Sequence, residues 1–205
     1  MNTRELKEFI RYVVENNRHI QKGGKVPVAV NVEGPSGLGK TSVALQLANE
    51  MQMHYVKISL SQLEEVGDLT GFPLKEHKLV RKEAGKDDEI RWIPESVMNK
   101  YIEQRFIPTG ETRTSHAPPS WIQGKEKGGF LILDDYTRAN TMFMQATMEL
   151  IDRQTFAGWS LPEDWHIILT TNPDDGEYIV TTLDSAQKTR FITANLKFDL
   201  KCWAR

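Results

Sequence analysis

Apolar positions along the 205-residue chain recur with two periods, and the switches between them mark alternating helices and strands. Leu6, Phe9, Ile10, Val13 and Val14 sit at helical spacing, which predicts an amphipathic helix over 3–16. Gly23-Gly24 then breaks the chain. Residues 26–32 (V-P-V-A-V-N-V) form a short β-rich run suited to a buried strand. Val43, Ala44, Leu47, Ala48 and Met51 mark a second helix, and 54–58 (H-Y-V-K-I) a second strand. A strand–helix–strand unit with a crossover of this length favours parallel pairing.

Between 59 and 120 the pattern weakens. Residues 67–71 (G-D-L-T-G) read as a turn or loop, and 78–82 with 89–93 as a hairpin around a polar stretch. Pro94 can open a helix whose face carries Met98, Tyr101, Ile102 and Arg105. Residues 109–119, rich in Gly, Thr, Ser and Pro, predict a mobile loop. Order returns with the apolar strand Phe130-Leu131-Ile132-Leu133, which ends in Asp134-Asp135. A helix over Phe143 to Ile151, a turn or hairpin over 155–161, a buried strand over 165–169 and a short helix near 183–189 follow. Ile192, Ala194, Leu196 and Phe198 alternate as one apolar face of a last strand. The expected architecture is a three-layer α/β domain, with a central parallel sheet of about five strands flanked by helices.

Composition narrows the field modestly. With 26 basic and 28 acidic residues the formal charge is −2, so there is no global case for nucleic acid or an acidic membrane. The single cysteine, Cys202, forms no internal disulfide and fits a reducing, cytoplasmic setting. No apolar run approaches the ~18 residues of a membrane span, and the polar N-terminus lacks a signal-peptide core. The five histidines show no metal-ligand spacing. The five tryptophans read as core or interface anchors, with Trp159 also a candidate for partner contact.

The strongest local signal lies between the first strand and the second helix. Gly34-Pro35-Ser36-Gly37-Leu38-Gly39-Lys40-Thr41 fits G-x-x-x-x-G-K-[ST], the Walker A phosphate loop, and Ser42 follows it. Glycines there admit positive φ and keep side chains away from backbone N–H groups that can cradle a phosphate. Lys40 would reach the β- and γ-phosphates, the Thr41 hydroxyl would ligate Mg²⁺, and the helix would aim its positive end at the anion. Asp134 reads as Walker B, a second Mg²⁺ ligand at the carboxyl end of a strand. Asp135 can orient or deprotonate an attacking water. Asn172, in Thr171-Asn172-Pro173, ends the next strand at the same rim, where its amide can sense the γ-phosphate. Asp68-Leu69-Thr70-Gly71 matches the D-x-x-G of GTPases, but no apolar strand precedes it and no N-K-x-D follows.

Taken in order, the phosphate loop, Asp68–Gly71, Phe130–Asp134, Arg138-Ala139, Thr171–Pro173 and Thr189-Arg190-Phe191 resemble the AAA+ ATPases, nearest their MoxR and dynein-related branch. The resemblance implies one AAA+ core over 1–205, with an N-terminal helix and linker over 1–25 and a variable insertion near 72–120 that carries partner specificity. It implies ATP with Mg²⁺, an Asn172 sensor, and Arg190 as an arginine finger reaching a neighbour's nucleotide. Arg138 matches an interface arginine. It also implies a homo-oligomeric ring, a hexamer favoured, that remodels a client protein.

Three features depart from the pattern. Asp135 stands where the family carries Glu, which weakens the expectation of fast hydrolysis. Lys40 to Asp134 spans 134 − 40 = 94 residues, long for the family. No helical lid follows before Arg205. The other reading these features leave open is a nucleotide-gated scaffold with little turnover.

Overall fold

The computed structural model describes all residues except 83, 86, 126, 157 and 201–205, so Cys202 and Trp203 lie outside the described residues. In chain order its elements are α1 (Thr3–Lys22), β1 (Ala29–Glu33), α2 (Lys40–Glu50), β2 (His54–Ser59), α3 (Val66–Thr70), β3 (Pro73–Arg81), β4 (Glu89–Pro94), α4 (Met98–Glu103) and β5 (Ile107–His116). Then come β6 (Gly129–Asp134), α5 (Thr141–Arg153), β7 (Thr155–Phe156), β8 (Trp159–Ser160), β9 (Trp165–Thr171), α6 (Ser185–Lys188) and β10 (Phe191–Asn195). Five strands build one parallel sheet in the order β10-β1-β9-β6-β2. All five carboxyl ends therefore share one rim.

Alternation within each strand feeds two cores. Phe130 and Ile132, with Val30, Val32 and Ile168, face α1 (Leu6, Ile10, Val13, Val14) and α2 (Val43, Ala44, Leu47, Ala48). Leu131, Leu133, Ile167 and Leu169 face the opposite side, against Phe143, Leu150 and Ile151 of α5 and the β7–β8 hairpin. Trp159 belongs to this second core. It is 6 % exposed, donates Nε1–H to the Thr70 carbonyl at 2.7 Å and packs edge-on against Trp121, so it anchors the interior and does not face a partner.

Four local expectations need correction. The first helix runs six residues past 16 because polar side chains hold its last turns. Asn17 exchanges two hydrogen bonds of 2.9 Å with the Val28 backbone, and Arg18 makes a bidentate pair with Asp164 at 2.7 and 2.9 Å. Residues 66–70 form helix α3, not a loop, with Leu69 fully buried. Gly71 ends it at φ +85°, where an added Cβ would lie 1.8 Å from the Ala117 carbonyl.

The Thr-rich stretch expected as a mobile loop is strand β5 as far as His116, paired along β3 from Pro73↔His116 to Val80↔Ile107. Both its faces are largely open, so it shows no apolar alternation. In β10 the buried set is Phe191 and Ala194, continued by Leu196, whereas Ile192 and Phe198 are exposed. β10 is an edge strand, and among the described residues its outer position Ile192, and Phe198 beyond it, stay exposed.

The predicted hairpin is present as β3–β4 and gains β5, giving a separate sheet in the order β4-β3-β5. Leu79, Ile93 and Phe106 form its own small core with Met98 and Tyr101 of the α4 side. This sheet is inserted between β2 and β6, which still pair directly in the central sheet. Among the described residues no helix is long and apolar enough to cross a membrane.

The α1–β9 contact makes stability pH-dependent. His166 is buried between Asp164 (3.0 Å) and Asn17 (3.3 Å), and burial pushes its pKa below 6.5. Burial pushes Asp164 up, but the hydrogen bonds and charges of Arg18 and His166 outweigh it and hold the carboxyl below its ordinary 3.8. Both folded values are depressed, so the unfolded chain takes up protons first and stability falls on acidification. Urea unfolding from about pH 7.5 to about pH 4.5 should show this loss begin near the ordinary histidine value, and His166→Gln should flatten it. An equally steep profile in the variant would contradict the assignment.

Candidate functional site

The phosphate-loop sequence departs from the end of β1 beside β9, and the Gly34 N–H donates to the Thr171 carbonyl at 3.2 Å. Gly34 is required sterically, since a Cβ would lie 2.8 Å from the Leu196 carbonyl oxygen. Gly37 and Gly39 take φ of +81° and +79°, and open space lies where a Gly37 Cβ would point. Gly39 precedes α2 without a side-chain cap, which leaves the first amides of this 11-residue helix free of a side-chain acceptor. The loop is therefore an uncrowded cradle of N–H groups at a positive helix end. Ser42 lies exposed on the first turn of α2, and Leu38 packs partly on the core.

Lys40 is 7 % exposed, and its ammonium donates to Gly34 O (2.7 Å), Pro35 O (3.0 Å) and Asn172 Oδ1 (2.9 Å). Burial lowers its pKa from 10.5, while Asp135 and Asp134 act in the opposite direction. Lys40 and Asn172, expected on separate motifs, are thus in direct contact.

Thr41 Oγ1 donates to Asp134 Oδ1 at 2.5 Å, which joins the two expected metal ligands. Thr170 Oγ1 donates to the same oxygen at 2.8 Å and accepts the Asp135 N–H at 3.0 Å. Lys57 Nζ lies 3.2 Å from Asp134 Oδ2. Burial alone would raise the Asp134 carboxyl, but the hydrogen bonds from Thr41, Thr170 and Lys57 and the Lys57 charge bring it below its ordinary 3.8. A hydroxyl and an ionised carboxylate so joined are hard oxygen donors of the kind Mg²⁺ prefers beside phosphate oxygens.

Asp135 holds a left-handed conformation, φ +51° and ψ +43°, uncommon outside glycine. Its carboxylate stands 3.8 Å from Arg138 Nη1, with both side chains substantially exposed. Arg190 is not at this rim. It precedes Phe191, which pairs with Ala29 at the start of β1, whereas the phosphate loop follows the end of β1. There it donates to the Ala186 carbonyl at 2.8 Å, and its buried Nε makes no hydrogen bond among the described residues, with Asp152 at 3.7 Å. Within one subunit Arg190 and Lys40 sit at opposite ends of the sheet.

Three site neighbours escaped the sequence reading. Lys57 fell inside a strand pattern and Thr170 just past the end of one, with only their polarity as a signal. Tyr178 lies 142 positions from Ser36 in the chain, yet its hydroxyl accepts the Ser36 N–H at 3.2 Å. No local pattern encodes that contact.

A parallel sheet ordered β10-β1-β9-β6-β2, with a glycine loop from β1 into α2 and an acidic end to β6, defines a P-loop nucleoside-triphosphatase core. Residues 30–98 match the family model "ATPase family associated with various cellular activities (AAA)", a segment that includes Lys40 but ends before Asp134. The match marks the phosphate-loop part of the chain as similar to that family.

The ATP-dependent zinc metalloprotease FtsH of Pelobacter propionicus is 40 % identical over 62 residues, which are 30 % of this chain and 10 % of that protein. FtsH of Buchnera aphidicola is 36 % identical over the same shares. Among solved structures, a Thermotoga maritima RuvB aligns with TM-score 0.54 and 18 % identity over 95 % of this chain and 45 % of RuvB. This chain thus spans less than half of RuvB, and the structural likeness is one of fold.

Thr170 is 1 % exposed and serves Asp134 and Asp135 at once. Thr170→Val should lower the urea-unfolding free energy by about 1–3 kcal/mol, the cost of leaving a buried polar partner unpaired. A change under about 0.5 kcal/mol, usual for surface positions, would contradict that role.

Proposed function

We propose that the chain is an ATP-binding module that hydrolyses ATP at the interface between subunits of a ring and uses the cycle to remodel a protein partner. The observation that carries this reading is the hydrogen-bonded group Lys40–Asn172 and Thr41–Asp134–Thr170 on the rim beside an open glycine loop, with Arg190 at the far end of the same sheet. The D-D-Y-T-R-A stretch from Asp134 to Ala139 supports the MoxR and dynein-related branch.

In this reading the loop amides of residues 37–42 and the Lys40 ammonium hold the β- and γ-phosphates, and Thr41 with Asp134 holds Mg²⁺. A bound Mg²⁺ neutralises charge on the phosphate oxygens. Asn172 fixes the Lys40 ammonium and presents its amide to the terminal phosphate or the water. Asp135, turned by its left-handed backbone, orients the water or accepts its proton. A guanidinium is still needed where charge develops on the γ-phosphate, and Arg190 cannot supply it in its own subunit. A neighbouring subunit's Arg190 would supply it, which makes assembly a condition of turnover.

One observation favours a second reading, a nucleotide-gated scaffold with little turnover. Asp135 is one methylene shorter than Glu and faces Arg138 at 3.8 Å. Measuring ATPase rate per subunit against protein concentration separates the two. Trans catalysis predicts a rate that rises with concentration and falls on the order of 100-fold in Arg190→Ala. A concentration-independent rate, unaffected by the substitution, would rule out the trans role, and absence of hydrolysis at every concentration would favour the scaffold.

A further inference from the structure

The Asp134 carboxylate is engaged at both oxygens. Thr41 and Thr170 donate to Oδ1, and the Lys57 ammonium stands 3.2 Å from Oδ2. Lys57 comes from β2, the strand hydrogen-bonded to β6, two residues before Ser59, whose register partner is Asp134. The two partners differ in access. The Asp134 side chain is 14 % exposed and that of Lys57 46 %. β2 is the edge strand of the central sheet, so the lysine stem has solvent on one side and room to withdraw.

We infer that Lys57 is the resident counter-cation of the candidate metal position. It holds the Asp134 carboxylate when no divalent ion is present and competes with that ion for the carboxylate, so that it sets the site's metal affinity. This inference rests on the reading of Thr41 and Asp134 given under Proposed function. A sheltered carboxylate without a cation is costly, which explains why a lysine is recruited to it. The same lysine cannot be neutral toward a divalent ion. An ammonium within about 4–6 Å of a doubly charged ion repels it, and the repulsion is strong where water is partly excluded. Lysine suits the exchange because its charge is a compact point on a flexible stem, without the fixed bidentate grip of arginine. Metal entry is then a swap of cations at Asp134.

The test uses Mn²⁺ as the probe, with its affinity read from the loss of the free-ion electron paramagnetic resonance signal, in protein saturated with ADP. Lys57→Met and Lys57→Gln remove the charge at a half-exposed position, and Lys57→Arg keeps it. Either neutral variant should bind Mn²⁺ on the order of 5- to 10-fold more tightly than wild type, and Lys57→Arg, which keeps the charge and grips the carboxylate more firmly, should bind it no more tightly than wild type. Unchanged or weaker Mn²⁺ binding in both neutral variants would overturn the inference. ADP retention in excess chelator, measured by equilibrium dialysis, keeps the two claims apart. If wild type retains ADP while the neutral variants keep wild-type Mn²⁺ affinity, only the role of Lys57 falls. If wild type binds ADP neither in chelator nor with Mg²⁺ present, the nucleotide reading falls and this inference with it.

Discussion

The buried ammonium of Lys40 is the contact on which the rest of the site depends. It begins α2, yet its three acceptors are the Gly34 and Pro35 carbonyls at the exit of β1 and the Asn172 amide at the end of β9. One charge thus ties loop, helix and neighbouring strand together at 7 % exposure. A buried cation is tolerated only with full hydrogen bonding and nearby negative charge, and Asp134 and Asp135 supply the latter. These constraints fix where the loop opens and which strand ends stand beside it.

From that anchor the sheet order assigns the remaining groups. β9 lies between β1 and β6, so Thr170 and Asn172 separate the Lys40 end from the Asp134 end and touch both. Parallel strands place all their carboxyl ends on one rim, which collects Gly34, Asp134 and Asn172 there and places Arg190 at the opposite end of β10. The sheet thus has a glycine-loop end and an arginine-bearing end, and under the proposed function head-to-tail association would let each end complete the other.

What the sequence made legible follows from how local each signal is. Gly34 to Thr41 is contiguous, and its flanking strand and helix carry clear periods, so loop, β1 and α2 could be read directly. The strand Phe130 to Asp134 is buried on both faces and reads as a continuous apolar run. β5 was hidden because a strand exposed on both faces has no reason to alternate. The end of α1 was hidden because Asn17 and Arg18 hold it through partners far away in the chain. Lys57 and Tyr178 meet the site only through the sheet register and a long loop closure, which spacing along the chain does not reveal.

The central claim is that the Lys40 cradle holds a nucleoside triphosphate. Its most direct test is a calorimetric titration of ATP in the presence of Mg²⁺ into wild type and into Lys40→Ala, with matching far-ultraviolet circular dichroism for the two proteins. Loss of charge-assisted hydrogen bonds to the phosphates predicts an affinity about 10- to 100-fold weaker in the variant. Equal affinity in the two proteins would contradict the claim.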